Sequence, residues 1–305
     1  LTLVQLKYAL ALAKTGSFAR AADLLAIAQP TLSLQIQKLE RELGIVLFDR
    51  ARHPVEPTPG GARFLLQAQK VHVEAQKLEY LFQDEKTALS GELRLGVIPT
   101  VAGFILPRLL PAMQARYPDL RLRVFELPTS QILQKLKADD LDVGVAATPI
   151  GDPRINEIPM YYEPFKVYLP PSAKIKKSPI RLEDIGTLEM IVLGEDHCFR
   201  GQVSHICKSN KGSRIEAGSF ETIRKLVDQD LGVTLLPYGE ESGNKERERF
   251  LASPVPAREI SLVTHDSFYR TGILSALQKE IYRFTPDDFK RKKAYRIVGV
   301  EIAQS

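Results

Sequence analysis

Residues 16–22, Gly16-Ser17-Phe18-Ala19-Arg20-Ala21-Ala22, are followed closely by residues 28–33, Ala28-Gln29-Pro30-Thr31-Leu32-Ser33. Together they predict two short helices joined by a tight break. Gln5, Tyr8, Ala9 and Leu12 form a helical pattern that stops at Gly16. Ser17 is placed to cap a helix from Phe18 to Leu25, because its hydroxyl can accept from a free backbone N–H of the first turn. Pro30 suits the first helical position, where its missing N–H costs nothing. Leu32, Ile36, Leu39 and Leu43 then step by 4, 3 and 4, which is one face of a helix. Gly44 ends it as a left-handed cap.

Two short helices of this kind fit a helix-turn-helix, whose second member enters a major groove about 12 Å wide. That helix starts at Gln29 and Pro30 and offers Thr31, Ser33, Gln35 and Lys38 to base edges or phosphates. Ala21, Ala22 and Leu25 are small enough for a close helix crossing. Periodicity alone fits a plain helical hairpin equally well. After the break come Ile45-Val46-Leu47-Phe48 and the basic stretch from Arg50 to Pro57, which predict a two-stranded wing. Arg50 and Arg52 at its tip are candidates for backbone or minor-groove contacts, which position a protein without specifying sequence.

Thr58-Pro59 reads as a cap and first helical position, and no breaker interrupts residues 60–88. Phe64, Ala68, Val71, Ala75, Leu78 and Phe82 recur at steps of 4, 3, 4, 3 and 4. That is a heptad seam suited to self-association, and Phe64, Val71, Leu78 and Phe82 are its candidate dimerisation residues.

Ser90-Gly91 opens a different texture. Strands are expected at 93–97, 120–127, 141–146, 166–169, 190–193, 233–236 and 260–264. Helices are expected at about 103–116, 130–138, 220–230 and 268–285. Alternation of this kind implies an α/β domain built on a parallel sheet with crossover helices. The organisation expected is a winged helix-turn-helix at 1–58, a linker helix at 59–89 and an α/β domain at 90–305.

Of the 305 residues 44% are hydrophobic and 26% charged, a globular composition. The longest apolar run, Tyr8 to Ala13, is six residues, far below the roughly 20 of a membrane-spanning helix. Net charge is +5, and residues 1–73 hold nine Lys or Arg against five acids, so most of the excess lies where DNA would be met. A second basic cluster, Lys290–Lys293 with Arg296, reads as a solvated, frayed tail. Two cysteines, Cys198 and Cys207, are too few for a disulfide-framed secreted fold, and a cytoplasmic protein is expected.

Those cysteines lie in Glu195-Asp196-His197-Cys198-Phe199-Arg200, with His205 and Cys207 following. A thiol becomes a nucleophile as thiolate, a form favoured beside cations and at helix N-termini. His197 and Arg200 favour it here, while Glu195 and Asp196 oppose it. Three readings are open. Both cysteines are ordinary semi-buried side chains; or His197, Cys198, His205 and Cys207 ligate a metal, which their spacing fits poorly; or the cysteines are a redox pair. A disulfide needs Cα atoms within about 7 Å, whereas nine helical residues advance about 13 Å. An intact helix across the pair therefore forbids the bond.

The stretches 16–22 and 28–33, with Gln35-Ile36, Leu39-Glu40, Leu43-Gly44, Leu47-Phe48-Asp49-Arg50 and Thr58-Pro59-Gly60-Gly61, resemble the winged helix-turn-helix of LysR-type transcriptional regulators. Leu34 stands where many members carry Arg. The resemblance implies a coiled linker helix and, at 90–305, a two-lobed regulatory domain like a periplasmic binding protein, with its first lobe at about 90–163 and 267–305 and its second at about 164–266. It also implies homodimers or homotetramers on double-stranded promoter DNA, with RNA polymerase as a further partner of an activator, and regulation rather than enzymatic turnover. No metal or other cofactor is implied.

Within that class the cysteine segment, with Ser219-Phe220-Glu221-Thr222 and Gly232 to Pro237, is similar to the OxyR-type sensors of hydrogen peroxide. Carried over, Cys198 is the peroxide-reactive cysteine and Cys207 the resolving one, joined by a disulfide when oxidised. Thr100, Thr129, His197, His205 and His265 would line the peroxide pocket. These sensors tend to carry, near the end of the second lobe, an Arg that favours the thiolate; His265 stands at the position matched to it. The alternative within the LysR class is a regulator that binds a small effector between the lobes.

Overall fold

The computed structural model describes residues 1–81, 89–185, 189–194, 198–206 and 215–299. Contacts divide the chain into two units, Leu1–Asp84 and Glu85–Ser305. Most of the linker helix therefore groups with the N-terminal unit.

The N-terminal unit starts with α1 (Leu3–Thr15), α2 (Phe18–Leu25) and α3 (Gln29–Leu43). Thr2 and Gln5 form a reciprocal capping box on α1, and the Ser17 hydroxyl accepts from Arg20 N–H at the start of α2. Gly16 and Gly44 close α1 and α3 in the left-handed conformation at φ of 60° and 67°. Leu32, Ile36 and Leu39 are completely buried with Ala21 and Leu47, each large side chain contributing about 1.5–3 kcal/mol on burial. The wing pairs β1 (Phe48–Asp49) with β2 (Glu56–Pro57). From it runs α4 (Pro59–Leu81), whose first turn is capped by Thr58 Oγ1 accepting from Gly61 N–H at 2.9 Å.

The second unit holds β3 (Gly91–Val97), α5 (Pro99–Arg116), β4 (Leu120–Glu126), α6 (Thr129–Lys137), β5 (Val143–Thr148) and β6 (Ile155–Tyr168). Then come β7 (Ile191–Leu193), α7 (Cys198–Ile206), β8 (Ile215–Ala217), α8 (Phe220–Asp228), β9 (Thr234–Pro237) and β10 (Glu248–Phe250). The unit ends with β11 (Val255–His265), α9 (Thr271–Phe284) and β12 (Tyr295–Ile297). The helix expected from about 103 starts earlier, because Pro99 provides a first-turn residue with preset φ.

The sheet departs from the parallel one expected. Strands β4, β3 and β5 are parallel, but β11 is antiparallel to both β5 and β6, and β9 and β10 join β6 antiparallel. Long β6 and β11 run from one apolar core into the other. Ile260, Leu262 and Val263 of β11 belong with the core under α5, α6 and α9, whereas Val298 packs into the core of the second lobe. The chain thus passes through both apolar cores between Ile260 and Val298. The basic tail is not frayed through residue 299, since β12 pairs with β11 and Val298 N–H donates to Ala257 O at 2.8 Å.

Among the described residues no helix is long and apolar enough to cross a membrane.

Candidate functional site

In the N-terminal unit, α3 presents Gln29, Pro30, Thr31 and Lys38 to solvent, with Ser33 and Gln35 half-buried on the same helix. Leu34 is 58% exposed. The two wing arginines differ. Arg52 is exposed and pairs with Asp49 at 3.4 Å and Glu56 at 2.7 Å. Arg50 instead donates to Glu40 of α3 at 2.8 Å and lies over the Phe18 ring. The same Glu40 accepts from the backbone of Leu47 and Phe48. Arg50 thus ties the wing to α3, a structural use the sequence reading did not assign.

The seam on α4 is split. Phe64 packs against the core of the three helices, Leu65 belongs to it and Ala68 is buried. Val71 and Leu78 are 41% and 62% exposed. Phe82 lies outside the described residues.

In the second unit, Cys198 is the first residue of α7. Phe199, Val203 and Ile206 fix that helix in the second lobe's core, and Phe199 meets the rings of Phe165 and Phe220 at 5.3 and 4.9 Å. Gln202 donates to Val298 O at 3.2 Å. Cys198 itself packs against the first lobe's core. There α5 and α6 open after β3 and β4, the edge at which open parallel sheets place ligand crevices. Neither helix has a side-chain cap hydrogen bond at its N-terminus, so their positive ends are available to a polar group.

Thr100 lies in the first turn of α5 and Thr129 begins α6, both buried. Thr100 Oγ1 accepts from Arg258 Nη1 at 2.8 Å, and Thr100 O from Arg258 Nη2 at 2.9 Å. Arg258 is fully buried, stands 5.2 Å over the Phe199 ring and forms an ion pair with buried Glu163 at 2.7 Å. The Thr129 hydroxyl is buried without a hydrogen bond of full geometry, yet acts on the Cys198 sulfur from nearby.

Burial pushes the Cys198 thiol up, outweighing the attraction of Arg258, the Thr129 hydroxyl and the amides of Cys198 and Phe199, which all pull it down. A helix terminus and a cation both stand beside the thiol, the cation being Arg258 while Arg200 pairs with Glu216, but desolvation wins.

The cation beside Cys198 is Arg258, not His265. On an extended strand seven residues span about 23 Å, and His265, at the far end of β11 from Arg258, bonds Ser267 Oγ at 2.7 Å and pairs with Asp266 at 3.1 Å. His205 is exposed in the last turn of α7, its Nδ1 2.9 Å from Gly201 O. Seven helical residues from Cys198 correspond to about 10 Å, so His205 does not share the thiol's surroundings. His197 and Cys207 lie outside the described residues. Among the described residues no group of three or more His, Cys, Asp or Glu could hold a metal ion.

Residues 86–281 match the LysR substrate binding domain, and residues 3–62 match the bacterial regulatory helix-turn-helix protein family of lysR type. The chain belongs to the LysR family, whose members are DNA-binding transcription regulators rather than enzymes. Among its relatives, the "Hydrogen peroxide-inducible genes activator" of Haemophilus influenzae is 33% identical over 88% of this chain and 90% of its own. The "DNA-binding transcriptional dual regulator OxyR" of Escherichia coli K12 is 31% identical over 88% of each chain. A full-length OxyR variant from Pseudomonas aeruginosa superimposes with a TM-score of 0.75, at 33% identity over 92% of this chain and 94% of its own. A cysteine-to-serine mutant of Corynebacterium glutamicum OxyR with H2O2 bound gives 0.62, at 29% identity and 92% coverage of each.

Proposed function

We propose that this regulator responds to hydrogen peroxide, with Cys198 as the reacting thiol and Cys207 as its resolving partner. The observation that carries the proposal is the placement of Cys198 at the start of α7, beside buried Arg258 and the Thr129 hydroxyl, with Thr100 bonded to the same Arg258. The names and structures of the relatives support it. In the first step the Cys198 thiolate attacks one peroxide oxygen. The O–O bond breaks, an S–O bond forms, and the departing hydroxide takes up a proton to leave as water. Sulfur is oxidised and peroxide reduced. In the second step the Cys207 thiolate attacks the sulfenic sulfur, and the hydroxyl departs with a proton as water.

Thr100 and Thr129 serve as hydroxyls that orient the peroxide, and Arg258 stabilises the developing thiolate. The described part of α7 alone advances about 12 Å from Cys198 to Ile206. A bond to the following residue within about 7 Å of Cys198 therefore requires the helix to unwind. That coupling of chemistry to shape is how the signal reaches the DNA-binding unit, with Val71 and Leu78 of α4 joining copies into a dimer or tetramer. Activation then proceeds through RNA polymerase in a reducing cytoplasm, where a disulfide is a transient event.

The test is peptide mass analysis of reduced protein before and after one equivalent of H2O2. The expected product is a Cys198–Cys207 disulfide with loss of both thiols, absent in Cys198→Ser, which still binds DNA. A chain that keeps both thiols, yet changes its DNA binding when a small organic effector is added, would be an effector-binding regulator instead.

A further inference from the structure

Glu163 is placed where it can govern Arg258. The two face each other across the β6–β11 pairing. Arg258 is fully buried and Glu163 is 1% exposed. One carboxylate oxygen accepts from Arg258 Nε at 2.8 Å and lies 2.7 Å from Nη2, while the other accepts from Gly239 N–H at 2.9 Å. Gly239 brings its backbone so close that an added Cβ would sit 2.8 Å from that oxygen. The carboxylate is therefore held from both sides with its charge against the guanidinium. An ion pair this buried is weak evidence for stability, because an apolar pair of similar volume joins two strands equally well. Paired opposite charges do, however, act on a third group far less than a lone charge does.

We propose that Glu163 is a positioning residue that restrains the Cys198 thiol by fixing Arg258 and offsetting its charge, an inference that rests on Cys198 being the reacting thiol. Among the described residues, the groups around the thiol are Arg258 from β11, the Thr129 hydroxyl from α6 and the amides of α7 itself. Around Arg258 stand Glu163, Thr100 and Phe199. Glu240 and the Tyr161 hydroxyl also feel both members of the pair, and Glu240 in turn faces Arg224 and Lys166. Of these, Glu163 is the acid in direct contact with Arg258. With its charge removed, Arg258 acts on Cys198 as an uncompensated cation.

The experiment is the pH profile of iodoacetamide alkylation of the full chain carrying Cys207→Ser, so that Cys198 is the reporting thiol. In Glu163→Gln the midpoint is expected to fall by about one pH unit. The rate at pH 7 then rises about three- to fourfold, less than the thiolate fraction because a less basic thiolate is less nucleophilic. Glu163→Asp keeps the charge but withdraws it by one methylene, and its midpoint is expected between the two; this variant carries the test if Glu163→Gln does not fold. Adding Arg258→Met to either variant is expected to abolish the fall. A midpoint unchanged in the variants overturns the inference. So does a fall that survives Arg258→Met, which would mean water entry rather than a released cation. The sensor reading is tested separately, by disulfide formation in the unmodified chain.

Discussion

Replacing Arg258 by Met strands the Glu163 carboxylate in a site where both partners are almost fully buried. The two bonds Arg258 donates to Thr100 are lost as well. Removing one member of a buried pair costs about 3–5 kcal/mol, dominated by the uncompensated charge left behind. For a unit of this size that corresponds to a melting temperature lower by about 6–20 °C, a large share of the stability of an ordinary domain. Adding Glu163→Leu removes the stranded charge, so the double variant regains most of the loss. Arg258→Met also leaves the burial of Cys198 unopposed by that cation, so its thiol titrates at still higher pH and alkylates more slowly at pH 7. Urea unfolding of the single and double variants, with thiol alkylation alongside, measures both effects. A loss below about 1 kcal/mol for Arg258→Met, or faster alkylation, would refute the reasoning.

The raised Cys198 thiol also gives a pH signature. Its proton is held more tightly folded than unfolded, so stability falls as pH rises above the ordinary thiol value of about 8.5; in Cys198→Ser the extra fall over that range should vanish, and an identical slope in both proteins would contradict the assignment. Gly61→Ala would set a Cβ 1.9 Å from Leu47 O at the junction of wing and α4, with an expected loss of about 1–3 kcal/mol and weakened DNA binding, read by melting and by filter binding; an unaltered variant would show that the junction yields freely. Arg52→Ala should weaken DNA affinity equally on all sequences and reduce the salt slope by about 1, whereas Gln35→Ala should relax preference at one base position by about 1–3 kcal/mol; uniform loss for Gln35→Ala would remove it from base reading.

The N-terminal unit was largely legible because its signals are local. Caps at Ser17, Gly16 and Gly44 and the 4-3-4 spacing from Leu32 each depend on a few neighbouring residues. The short helix that Cys198 opens was not among the helices expected, because its nine residues give little periodicity to read. Arg258 was not legible. It lies in Val255-Pro256-Ala257-Arg258-Glu259, where a proline and two charges mask the strand pattern, so the strand was expected only from 260. Its burial depends on Glu163 and Thr100, respectively 95 and 158 positions away. A full-length strand at 255–265, with its Arg facing inward, was the signal that would have found it. The antiparallel insertion of β11 between β5 and β6 was hidden for the same reason: strand order is set by long-range pairing, and alternation of helices and strands does not encode it.

The central claim is that peroxide chemistry at Cys198 changes the shape of the segment that carries it. The most direct test is a structure of the full chain after treatment with hydrogen peroxide. The account predicts a Cys198–Cys207 bond with sulfurs about 2.05 Å apart and loss of the helix that now spans Cys198–Ile206. An intact helix with Cys198 still a free thiol, or oxidised without joining Cys207, would contradict it.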